Sequence, residues 1–177
     1  MTRRFLITLY RISGVLGAAS LLLLAAVVLA QIVGRLVRVQ IEGADEFTAW
    51  LMAAGAFFSL AYTFRHGAHI RVGLLLERIR GRGRRLLEIA CLAAAALITG
   101  MFTWAAFDLV YSSWRYSDIS GGLIRMPMWI PQLSMAAGAL LLAIAVLDDL
   151  LMITLGRRAS YDRDSGARVV EQTSGEL

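Results

Sequence analysis

Asp45-Glu-Phe-Thr-Ala-Trp-Leu-Met-Ala-Ala-Gly-Ala-Phe-Phe-Ser-Leu-Ala-Tyr-Thr-Phe-Arg-His-Gly-Ala-His-Ile-Arg-Val-Gly-Leu-Leu-Leu76 decides how the chain is read. It opens on two acids, runs from Phe47 to Phe64 without a formal charge, and closes on a basic turn holding both histidines. An uncharged run of that length is long enough, as a helix, to cross the hydrocarbon core of a bilayer. Its flanks put acids at one end and arginines at the other.

Composition agrees. Of 177 residues, 58% are hydrophobic and the mean hydropathy is +0.66, the first above the roughly 45–50% apolar content of soluble domains. The net charge is +5, and all 18 basic residues are arginine. The arginines gather at the ends of apolar runs, which is a topology signal rather than a phosphate-binding patch, so nucleic acid is not an expected partner. The single cysteine, Cys91, lies in an apolar run. It permits no intramolecular disulfide and is expected to pack as a small apolar residue.

Three further uncharged runs flank the quoted stretch. The pattern predicts an all-α integral membrane protein with spans at about 12–34, 47–64, 89–107 and 126–147 within a membrane domain of 1–155. The first run also resembles a secretory signal, with Val28 and Ala30 as small residues near a cleavage point. It is longer than a signal core of about 7–15 residues, so an uncleaved anchor is expected. Pro127 and Pro131 stand where a helix begins, because a missing N–H costs little there. Between the second and third runs, Val72, Leu75, Leu76 and Ile79 share one helical face. This predicts a short amphipathic interfacial helix over about 70–80. Residues 156–177 are polar and are expected to form a mobile tail.

Arginine count sets the orientation. Fourteen arginines fall in the N-terminal segment, the second loop and the tail, against four in the other two loops. Arginine excess marks the cytoplasmic side, so both termini and the long loop are expected there.

Chemistry is sparse. His66 and His69 lie outside the uncharged runs, where a haem between helices would need histidines within them. No third metal ligand stands near them in sequence, and interfacial hydrogen bonding is the simpler role. No nucleotide-binding loop and no nucleophile–base pair emerges, so an enzyme is not expected. The acids Glu46, Asp108 and Asp148 sit at span ends, and the spans show no midplane charge of the kind transport paths use. Gly14 with Ala18 and Gly55 with Ser59, each four apart, offer small faces for close helix approach. A membrane scaffold or accessory subunit follows. A self-assembling four-helix channel and the anchor subunit of a membrane redox complex stand as alternatives.

Glu46, Trp50, Gly55-Ala56, Arg65-His66-Gly67 and His69-Ile70-Arg71-Val72 with Leu74-Leu75 together resemble the small membrane subunit of TRAP transporters, the DctQ-like family. Met126-Pro127-Met128-Trp129-Ile130-Pro131, with Gly138 beyond it, resembles the proline-and-tryptophan start of that family's last span. Gly73 stands where the family often has an aspartate. The resemblance implies a subunit of a sodium-coupled importer of organic acids in a bacterial inner membrane. Its expected partners are a large membrane subunit, a periplasmic solute-binding protein and phospholipid. It implies no cofactor in this chain, with sodium coupling expected in the large subunit. The interface residues expected on this basis are Glu46, Trp50, Arg65, His69 and Arg71. Glu46 is placed to pair with a basic residue of the large subunit, and the last three to meet lipid phosphate or acidic groups.

Overall fold

The computed structural model describes residues 2–39, 41–65 and 82–155. The expected interfacial helix over 70–80, the tail, His69 and Arg71 lie outside the described residues. Among the described residues there are four helices: α1 (Thr2–Leu36), α2 (Ala44–Arg65), α3 (Arg82–Arg115) and α4 (Trp129–Thr154). Each is long and apolar enough to cross a membrane. The described residues contain no strand, only one isolated bridge between Ile119 and Pro127.

The helices outrun the uncharged stretches. Helix α1 begins at Thr2, well before residue 12, and α4 continues past the Asp148–Asp149 pair to Thr154. Helix α3 starts at Arg82, ahead of the expected 89, and passes through Asp108 and the expected end at 107 to Arg115. The physical reason is that a charge ends the apolar core of a span without breaking i→i−4 hydrogen bonding. At about 1.5 Å per residue, 34 residues reach about 51 Å, beyond the roughly 30 Å hydrocarbon layer.

What stops α1 and α3 is capping. Val39 N–H donates to Gly34 O at 2.8 Å and Arg38 N–H to Arg35 O at 3.2 Å. Arg38 sits at φ 58. This is a Schellman cap with an arginine in the left-handed position usually held by glycine. Helix α3 ends the same way: Asp118 N–H donates to Ser113 O at 3.0 Å, Ser117 N–H to Trp114 O at 3.3 Å, and Ser117 has φ 53. Near the start of α4, Pro131 is in the first turn, as its sequence position predicts.

The helices pack in the order α1–α2–α4–α3, with only a brief touch between α1 and α4. This is an open row rather than a closed bundle. Close approach depends on small residues. A Cβ on Gly17 would meet Ser59, and one on Gly14 would meet the Tyr62 ring at 2.7 Å. On the other side of α2, a Cβ on Gly138 would lie 2.6 Å from the Phe57 backbone. Ser13, fully buried, donates its hydroxyl to Phe58 O. Gly14, Gly55 and Ser59 therefore do lie at the α1–α2 contact, but Ala18 is exposed and Gly17 takes its place. Helix geometry explains the shift: residues three apart share a face as well as residues four apart.

Apolar burial is concentrated at the end carrying the N-terminus. There Leu92, Val146 and Ile153 form one cluster, and Tyr10, Ala61 and Ala145 another, with Phe64 packed against both. Arg85 closes this end by donating to the carbonyls of Ile153 (3.1 Å) and Thr154 (3.2 Å), the last turn of α4 that has no intrahelical donors. Asp149 is buried in α4 at 1% exposure, an acid within the packed end rather than at a span terminus. Cys91 is exposed on α3 instead of packed. Most of the apolar surface of α1 and α3 is uncovered, with Leu22 73% and Trp104 74% exposed.

Candidate functional site

The opposite end of the row is held by polar groups. Gly43, at φ 74, turns the chain into α2, and Asp45 and Glu46 occupy the first helical turn. Carboxylates are favoured there by the uncapped N–H groups and the helix dipole. Glu46 is half-buried and reaches across to the segment joining α3 to α4. Ser120 Oγ donates to Glu46 Oε2 at 3.0 Å, and Ile124 N–H approaches Oε1 at 3.5 Å, a long bond. Gly122 packs on the carboxylate so closely that a Cβ at that position would overlap it. The Ile124 side chain, in turn, lies against Gly43.

The segment that Glu46 grips is a short hairpin. Ser120 N–H donates to Met126 O and Met128 N–H to Asp118 O, both at 2.9 Å. Gln31 Nε2 donates to Asp45 Oδ1 at 2.8 Å, tying α1 to the same corner. Three backbone segments that are distant in sequence thus meet at one clasp.

The expected site residues that are described, Glu46, Trp50 and Arg65, do not converge. Trp50 lies one turn beyond Glu46, half-buried, edge-on to Phe47 with centroids 5.4 Å apart. Arg65 is the last residue of α2, nineteen positions from Glu46 and so about 28 Å away along the helix. His69 and Arg71 lie outside the described residues. The structure brings Glu46 together with Ser120, Gly122 and Ile124, none of which stood out in the sequence. Arg85 and Asp149 were likewise missed, the first as one arginine among seven in its segment. Among the described residues no cluster of histidine, cysteine or acid could hold a metal ion.

Tyr111 and Trp114 pair at 6.4 Å near the same end, with Arg115 donating to the Tyr111 hydroxyl at 3.1 Å. Aromatic and arginine side chains at a span end suit the headgroup layer.

Residues 24–155 match the family described as tripartite ATP-independent periplasmic transporters, DctQ component. The chain is also 30% identical over 104 residues to the C4-dicarboxylate TRAP transporter small permease protein DctQ of Rhodobacter capsulatus. That alignment covers 59% of this chain and 45% of the relative, so the chain spans about half the length of the relative it matches. Four helices able to span a bilayer, an acid-opened second span gripping the hairpin before the fourth, and a family match over most of the chain converge. This multi-pass membrane protein belongs to the DctQ family of TRAP transporter components, a family of transport proteins and not of enzymes.

Proposed function

We propose that this chain is the small permease subunit of a TRAP importer in a bacterial inner membrane, with both termini and the 66–81 segment cytoplasmic. It braces a large membrane subunit that holds the sodium and solute sites. A periplasmic binding protein delivers an organic-acid solute. The open row of spans supports this reading: two flanking helices keep most of their apolar surface uncovered, free to pack on helices of a partner or on lipid tails. The α1–α2–α4–α3 order leaves no ring of helices around a central path, which disfavours a channel formed within one copy.

In this reading the clasp keeps the far end of the brace from splaying while the large subunit works. Trp50, Arg65, His69 and Arg71 meet that subunit or lipid phosphate. Glu46 retains lone pairs beyond the two it gives to the hairpin, available to a basic group of the large subunit. The test is co-expression with the neighbouring genes, extraction in mild detergent and reconstitution. A stoichiometric, larger polytopic partner, and sodium-driven uptake requiring both chains and a binding protein, are expected. Uptake at full rate without this chain would refute the brace. Purification as a stable homo-oligomer with no partner would favour the channel.

A further inference from the structure

At the clasp end, where α1 stops and α2 begins, a cleft of about 220 Å³ opens among Gln31, Arg35, Val39, Glu42, Asp45 and Leu123. It is smaller than the roughly 300–1,000 Å³ of small-molecule sites and suits a headgroup rather than a whole drug-sized ligand. The clasp accounts for Gln31 and Asp45, which bond to each other. It does not account for Arg35 or Glu42. Both line the cleft, and among the described residues neither forms an ion pair, with the other or with any neighbour. Charges of both signs border one opening without neutralising each other.

We propose that this cleft binds the headgroup of a zwitterionic phospholipid carrying a primary ammonium, the phosphatidylethanolamine class. The Arg35 guanidinium is a planar fork that matches two phosphate oxygens. Glu42, with the second lone pairs of Asp45, accepts the three N–H donors of a primary ammonium. A choline headgroup has no N–H to give and is recognised by aromatic rings, and no aromatic side chain lines the cleft. An anionic headgroup without an ammonium would meet two carboxylates with nothing to offset them. The same phosphate–ammonium pair occurs in soluble O-phosphoethanolamine. The rim favours the lipid: Leu36, Val37, Val39, Ile41 and Leu123 are all exposed beside the cleft, at the level where two spans end. Apolar surface there receives the glycerol and acyl carbons that the soluble compound lacks.

The test is native mass spectrometry of the full-length chain in mild detergent, with phosphatidylethanolamine, phosphatidylcholine and phosphatidylglycerol of matched acyl chains. The readout needs no partner chain, so it stands apart from the subunit assignment. Phosphatidylethanolamine should be retained about tenfold over the other two, the ratio that one charge-assisted bond supplies. Glu42→Gln should erase that preference, and Arg35→Gln should lower retention of all three lipids, while circular dichroism and melting temperature stay unchanged. Arg35→Lys, which keeps the charge, should retain more lipid than Arg35→Gln. Equal retention of the three lipids, a preference that survives Glu42→Gln, or unchanged retention in Arg35→Gln overturns the proposal. O-phosphoethanolamine binding as tightly as the lipid overturns the lipid assignment.

Discussion

Gly122→Ala isolates the clasp, because it adds a single methyl and changes no charge. The φ of Gly122 lies outside the left-handed region, so alanine is not excluded by backbone conformation. The added Cβ would overlap the Glu46 carboxylate, and either the carboxylate or the hairpin must move. Both routes lengthen the bond from Ser120 (3.0 Å) and lose the marginal one from Ile124 (3.5 Å). A hydrogen bond to a charged group contributes about 1.5–3 kcal/mol. With Glu46 only half-buried and one bond long, about 1–2 kcal/mol of local stability should go. That corresponds to roughly 5- to 30-fold faster opening of the hairpin. Hydrogen exchange of a peptide covering 118–127, followed by mass spectrometry in detergent, reads this directly. Glu46→Ala should give a similar loss. The double variant should lose little more than either single one, because both remove the same interaction. Unchanged protection of 118–127 in both single variants, or fully additive losses, would refute the clasp.

Two further outcomes follow from packing and capping. Gly138→Val places branched carbons against the Phe57 backbone, where no flexible side chain can yield. Overpacking of this kind costs about 1–3 kcal/mol, seen as a lower unfolding temperature by intrinsic fluorescence, while a valine at the open Gly100 position changes it little. Ser117→Gly relieves a left-handed serine at the end of α3 and should raise stability by up to about 1 kcal/mol, read in the same assay.

The number and order of spans were legible in the sequence because hydropathy is a local property, and each apolar run is bounded by charge. Helix ends were not. Asp108 and the Asp148–Asp149 pair marked where apolar character stops, but hydrogen bonding continues past them to Arg115 and Thr154. Glu46 stood out in the sequence through its place in a family motif. Its partners were not, because Ser120 lies 74 positions away and Ile124 78. No periodicity links residues so far apart, and a serine and two glycines in a polar connection look like any loop. Gly17 was overlooked for a different reason. Several four-residue spacings fit so glycine- and alanine-rich a chain, and only the crossing of α1 over α2 selects Gly17 above Ala18.

The α1–α2–α4–α3 order has a consequence for biogenesis. Spans leave the ribosome in chain order, so α3 enters the membrane before the helix that separates it from α2. Until residues 129–154 arrive, α1 and α2 form one pair and α3 has no extensive neighbour. Helix α4, the span with the largest buried share, is the keystone, and its Glu46-gripped hairpin is made just before it. Assembly of the four spans is therefore decided when residues 129–154 emerge, and a chain stalled before Trp129 lacks the helix that packs α3 against α2.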